Sequence, residues 1–167
     1  MEGIYEKCVV KPRKAADNLI TLITVLATLG LIAFSIIWTP IRTYAIAIGI
    51  VAVFIAYRII TDRNIEFEYT LAGNSISLDK IINKRKRKRI INCDLTDFDI
   101  IAPMDSHHYE EHRDNYARKI VSTSEDHPEE EYFGILEYDG KRTMLIFEAD
   151  EKARKHLKKY MDQKFKG

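Results

Sequence analysis

Two stretches of this chain carry no acidic or basic side chain, and that segregation limits its possible folds more than any other feature. Residues 18–41 contain no Asp, Glu, Lys or Arg, and residues 43–57 again contain none. The net charge of +1 hides this, because nearly all charged groups lie elsewhere. Such a division implies two different solvents. Residues 19–38, LITLITVLATLGLIAFSIIW, rise about 30 Å as a helix, the thickness of a bilayer's hydrocarbon core. Residues 44–60 form a second apolar segment near the lower length limit for a span, with Arg58 close enough to its end to reach the interface. Trp38, Tyr44 and Tyr57 lie at segment ends, where amphipathic rings prefer the headgroup region. Residues 39–43 leave room only for a short turn, so an antiparallel hairpin is expected. No small-x-small site follows the first segment and a second span follows at once, which rules out a cleaved signal peptide.

The flanks set the expected orientation. Lys7, Lys11, Arg13 and Lys14 precede the first span, and Arg58 and Arg63 flank the exit of the second, whereas the tip holds only Arg42. Lys and Arg accumulate on the cytoplasmic side, so both termini are expected in the cytoplasm of a multi-pass plasma-membrane protein. The layout is then a flank at 1–18, spans at 19–38 and 44–60, an external turn at 39–43 and one soluble domain at 64–167. Thr21, Thr24, Thr28 and Ser35 recur at helical spacing on the first span, as do Ala45, Gly49, Ala52 and Ala56 on the second. Small residues let helices approach closely in lipid. These stripes are expected to face each other within the hairpin, a homodimer seam being the alternative. Neither span has an acid or base at its middle, which argues against a transporter, channel or pump acting alone.

The remainder reads as strands. Residues 65–71 alternate apolar and polar strictly, and residues 72–74, Ala-Gly-Asn, give a tight turn into 75–82. Further strands are expected at 89–93, 98–102, 116–123, 132–138 and 142–148, the last two joined by an Asp-Gly turn, a strong hairpin signal. Asp150 is a good N-cap for a closing helix whose apolar stripe is Ala153, Leu157, Tyr160, Met161 and Phe165. Seven strands followed by one helix is the order of the pleckstrin-homology (PH) superfold. The segments FEYTLAGNSISLDKIINKRKRKRIINCDLTDFDIIAP and YFGILEYDGKRTMLIFEADEKARKHLKKY resemble the cytoplasmic domain of small bacterial two-helix membrane proteins with a PH-like domain. The resemblance spans about 100 residues and the placement of the two helices. It implies a membrane α-helical hairpin plus a mainly-β (α+β) domain, a seven-strand barrel or sandwich closed by a C-terminal helix. It carries no activity.

Chemistry is sparse. Lys84, Arg85, Lys86, Arg87, Lys88 and Arg89 form the densest charge run. The turn containing them returns toward the bilayer if the strand before 72–74 leaves it, so contact with anionic lipid headgroups is expected, at about 1 kcal/mol per basic residue. A solvated basic hairpin is the plain alternative. Phosphoinositide-binding PH domains use the loop between strands one and two, here read as 72–74, which holds no basic residue. The basic run has no interleaved aromatic, which argues against nucleic acid. His107, His108, His112 and His127, with Glu110 and Glu111, contain metal-ligand types, but 105–131 reads as a polar loop, and no metal and no cofactor are expected. The acidic residues Glu125, Asp126, Glu129, Glu130 and Glu131 read as solvated. Cys8 and Cys93 are far apart in unrelated contexts, as reduced thiols would be. There is no GxSxG, HExxH or Gly-rich phosphate loop, so no catalytic residue is named and no enzyme is expected. The expected function is a membrane-anchored interaction module whose PH-like domain contacts anionic headgroups or a membrane protein. The alternative is a structural or regulatory subunit of a larger membrane assembly, with no lipid-specific role.

Overall fold

The computed structural model describes residues 4–166. They divide into two compact units: a helical unit of Pro12–Ile65 with Ile82–Arg85, and a sheet unit made of the residues before Pro12, Glu66–Ile81 and the residues from Lys86 onward.

In the helical unit, α1 (Ala15–Ile37) and α2 (Ala45–Thr61) are joined by a 3-10 segment, Thr39–Tyr44, with Pro40 near its start, where the missing N–H costs nothing. The Asp17 carboxylate accepts from the Lys14 amide at 3.2 Å and closes the first turn of α1. Ala15–Ile37, and Pro40–Thr61 when the 3-10 segment is counted with α2, are long and apolar enough to cross a membrane. Their outer surfaces are almost wholly aliphatic, with Ile37 79% and Ile46 81% exposed. Water does not tolerate so large a continuous apolar surface, and lipid does.

The sheet unit begins before α1. Strand β1 (Tyr5–Val10) pairs antiparallel with β2 (Ile65–Ala72), from Tyr5 opposite Leu71 to Val10 opposite Glu66. Strands β3 (Ser75–Ile82) and β4 (Lys86–Asp94) complete a four-stranded sheet in the order β1-β2-β3-β4. The second sheet comprises β5 (Phe98–Pro103), β6 (Arg118–Val121), β7 (Glu131–Tyr138) and β8 (Lys141–Glu148) in the order β5-β7-β8-β6, with β6 parallel to β8. A short helix α3 (His107–His112) lies between β5 and β6, and α4 (Glu151–Met161) follows β8.

Among the described residues there are eight strands in two sheets that do not close into a barrel, where a barrel or sandwich of seven was expected. The added strand is β1, in the stretch read as a flank. Its pattern is broken by Lys7, which occupies an inward position between Tyr5 and Val9, and its partner lies beyond both helices. Within residues 105–131, β6 falls inside the strand expected at 116–123, whereas α3 and a 3-10 turn at Pro128–Glu130 stand where a polar loop was expected.

The core lies between the sheets and under α4. Phe67, Tyr69 and Leu71 of β2 and Ile76 and Leu78 of β3 are buried on one face of the first sheet. Tyr69 meets Phe147 of β8 at a ring-centroid distance of 6.2 Å, and Phe165 stacks on Tyr132 at 5.7 Å. Gly134 on β7 permits a close approach: a Cβ there would lie 2.6 Å from the Phe98 ring. The other face of the second sheet carries Ile100, Ala102, Phe133, Ile135, Met144 and Ile146, against which Met104, Tyr109 and Tyr116 pack.

Candidate functional site

The basic run is divided by local geometry. Asn83 and Lys84 adopt successive left-handed conformations, with φ of 50° and 52°, which matches the right-handed twist of the flanking β3 and β4. The Asn83 amide donates to the Asn64 carbonyl at 2.7 Å, and the Arg85 amide donates to that of Ile82 at 3.1 Å. Asn64 lies three residues past the end of α2, so Lys84 and Arg85 belong to the helical unit, at its charged end. There Arg13 donates to Asn64 Oδ1 at 2.6 Å, Arg63 lies 3.4 Å from Asp17, and Arg58 lies 3.6 Å from Asp62. Five cations (Arg13, Arg58, Arg63, Lys84 and Arg85) and two carboxylates (Asp17 and Asp62) thus belong to the chain segments at this end.

The rest of the run lies on β4, where side chains alternate between faces. Arg87 reaches Glu68 of β2 at 2.5 Å, and Arg89 donates to Asp79 of β3 at 3.0 Å. These guanidiniums compensate carboxylates on the outer face of the first sheet. Lys86 and Lys88 are exposed. The run is thus divided between the two units, Lys84 and Arg85 in the helical one and Lys86 to Arg89 on β4.

Counting β1 also relocates a landmark. The Gly73-Asn74 turn joins the second and third strands, not the first and second; the connection between the first two is the helical hairpin itself. Gly73 instead offers its carbonyl to His156 Nε2 at 2.7 Å.

Within the hairpin, Thr21, Thr24 and Thr28 are half-buried and Ser35 is buried; on α2, Ala45 and Gly49 are half-buried, and Ala52 and Ala56 are buried. The hydroxyls bond within their own helix, Thr21 to the Asp17 carbonyl at 2.9 Å and Thr28 to that of Thr24 at 2.8 Å, so packing rather than interhelical hydrogen bonding uses this face.

A second polar constellation, around β1, had no signature beyond an out-of-pattern lysine. Lys7 Nζ lies 2.7 Å from Glu130 and 3.4 Å from Glu148, whose side chain is 2% exposed. Glu148 Oε1 also accepts from the Ser124 amide and hydroxyl, at 2.5 and 2.6 Å. Burial opposes charge on Lys7, but the two carboxylates outweigh it and raise its pKa. Glu130, read as part of a solvated acidic run, is therefore an internal ion-pair partner. Beside this network, Tyr5, Lys7, Asp150, Lys152 and His156 line a polar pocket of about 570 Å³ at the start of α4. Asp150 caps that helix, accepting from the Lys152 and Ala153 amides at 3.0 and 2.9 Å.

The histidines separate. His107 and His108 sit together on α3, with ring centroids 4.6 Å apart and Glu111 beside them, while His112 turns edge-on to Phe133 at 6.3 Å. His127 lies 3.4 Å from Glu129 and stands outside that group. Cys8 and Cys93 occupy the opposite edge strands of the first sheet, three strand spacings or about 14 Å apart, beyond the roughly 7 Å that a disulfide spans. Burial, with Asp97 and Asp94, pushes the Cys93 thiol up to about 12, so it is no nucleophile.

A family model described as Bacterial PH-like domain (DUF6106) matches residues 1–167, the whole chain. Searches of the curated proteins and of the solved structures each returned no match.

Proposed function

The chain belongs to the bacterial PH-like domain family, and on that premise we propose that it is a membrane-anchored, non-catalytic binding module whose charged collar contacts anionic lipid headgroups. The observation that carries this reading is the 2.7 Å hydrogen bond from Asn83 to Asn64, which holds the basic turn against the end of α2. If α2 spans the bilayer, its charged end lies at headgroup depth, and Lys84 and Arg85 lie there with it. The pairing of β1 with β2 supports a hairpin that returns to its starting side, because one sheet receives the chain on both sides of the helices. The excess of Lys and Arg at that end supports the cytoplasmic side.

The reading narrows the expected lipid contact from six residues to Lys84 and Arg85, joined by Arg13, Arg58 and Arg63. At about 1 kcal/mol per basic residue, neutralising Lys84 and Arg85 removes about 2 kcal/mol, close to thirtyfold in preference for an anionic headgroup. The test uses the full chain in nanodiscs of mixed neutral and anionic lipid, with the lipid retained on gentle extraction quantified by mass spectrometry. K84Q/R85Q should lower the anionic enrichment by up to about thirtyfold and R87Q/R89Q should leave it unchanged. Enrichment unchanged in K84Q/R85Q refutes the assignment.

A second reading, docking to another membrane protein, is favoured by Gly30. A Cβ there would meet nothing within 4 Å, so packing within the hairpin does not account for a helix glycine that costs about 1 kcal/mol relative to Ala. Co-purification of a defined partner that is lost in G30L supports it; retention of that partner in G30L counts against it.

A further inference from the structure

We propose that the outer face of α3 binds a divalent transition-metal ion of the zinc class through His107, His108 and Glu111. α3 is anchored from one side only: Tyr109 sits edge-on to Phe133 at a centroid distance of 5.5 Å, and His112, three residues on, packs against the same ring. Helical geometry then turns His107 and Glu111 away from the sheet, leaves His108 at the flank, and puts Glu111 beside both rings, at i, i+4 from His107 and i, i+3 from His108. Their donor atoms, two imidazole nitrogens and one carboxylate oxygen, all lie within 4.8 Å of one another. An ion bonded at about 2.0–2.2 Å holds its ligand atoms no more than about 4.3 Å apart. Closing that difference takes side-chain rotation, which is open to these residues because His107 and Glu111 are exposed and His108 is half-buried. The neighbouring carboxylate of Glu110 is drawn away by Arg113 at 3.0 Å, which leaves Glu111 as the acid facing the rings.

The donor set selects the class of ion. Two imidazoles with one carboxylate suit zinc, nickel or copper; magnesium and calcium prefer all-oxygen shells. Three protein ligands leave a coordination position for water. The consequence for the fold is local. A helix of six residues is too short to sustain itself, and α3 carries Tyr109, part of the cover over the outer face of the second sheet. An ion bridging 107, 108 and 111 fastens the outer side of the helix as Tyr109 fastens the inner.

The test uses the untagged full chain in detergent micelles, with Zn²⁺ alone as probe and a chromophoric chelator as competitor. One ion should bind per chain, raise the thermal unfolding midpoint and be released as the pH falls, because both rings must bind as free bases. Loss of an outer-shell partner alone costs 10–100-fold in metal affinity, so H108A and the near-isosteric E111Q should each weaken binding by at least about tenfold. H127A should not. E111Q without metal should retain the wild-type circular dichroism, which separates loss of a ligand from loss of the helix. Absence of a saturable site, or a site of wild-type affinity in E111Q and H108A, overturns the assignment.

Discussion

The two sheets are built from strands of similar length, yet they bury them differently. In β2 the burial alternates: Phe67, Tyr69 and Leu71 face the core, while Glu66, Glu68 and Thr70 face outward. In β7 every residue from Tyr132 to Leu136 is buried, and in β8 every residue from Thr143 to Glu148. The first sheet has one covered face, and its outer face is held by the charges of Glu68, Asp79, Arg87 and Arg89. The second is covered on both faces, by the shared core on one and by Met104, Tyr109 and Tyr116 on the other. An outer face that meets water tolerates substitution, whereas one that meets a cover does not. The segment between β5 and β6 is therefore structural, despite its polar composition.

Four substitutions test that contrast. The largest effect is expected at Lys7, a charge that the first sheet directs inward, onto Glu148 of the second. K7M leaves a buried carboxylate without its cation and should lower stability by about 3 kcal/mol in chemical denaturation, with K7M/E148Q recovering part of the loss. The pKa of Lys7 is raised, so its contribution is complete at neutral pH and disappears only as the pH climbs through that raised value, above the ordinary 10.5. An unfolding midpoint in K7M equal to that of the wild type would mean that the inward face does not discriminate against charge. Next, G134A forces a methyl against the Phe98 ring between β7 and β5 and should cost about 2 kcal/mol. A neutral result there would show that the second sheet has room to relax.

A smaller loss, about 1 kcal/mol, is expected for D150A, which removes the cap of α4. Burial opposes ionisation of Asp150, but the Ala153 amide, the Tyr5 hydroxyl and Lys7 outweigh it and hold its carboxyl below the ordinary 3.8. That contribution is present above pH 3.8 and is lost as the pH falls through the lowered value, so D150A and wild type should converge in acid. The smallest effect belongs to the outer face of the first sheet: R89Q removes an exposed guanidinium from the buried Asp79 carboxylate, which keeps Arg87 at 3.8 Å, and should lower the thermal midpoint less than D150A does. A substantial drop there would erase the contrast between the sheets.

The same contrast governs what was legible in the sequence. Where one face meets water the pattern is direct, as in residues 65–71, and the Asp-Gly turn between β7 and β8 follows from chemistry, with φ of 53° and 68° at Asp139 and Gly140. Asp150 and the stripe of Ala153, Leu157 and Met161 likewise announce α4. The paired small-residue stripes of the hairpin are visible as periodicity, though periodicity alone does not say which helix they meet. Strand β1 was hidden because its inward lysine looks like surface until Glu148, far along the chain, is set beside it. The division of the basic run was not visible, because a string of like charges does not reveal where a turn ends and a strand begins. α3 was hidden because a short, mostly polar segment is held here by two ring contacts, Tyr109 and His112 on Phe133.

Strand β1 is made before the hairpin, yet its hydrogen-bonding partner is synthesised only after both helices. That edge of β2 is therefore sealed by a segment that has waited through the synthesis of the entire hairpin. Completion of the domain becomes a record of the hairpin's fate. A chain whose helices have brought residues 11 and 65 together closes its sheet, and one whose helices have not leaves an open β-edge and an unanswered Glu148, the kind of surface that chaperones and proteases recognise.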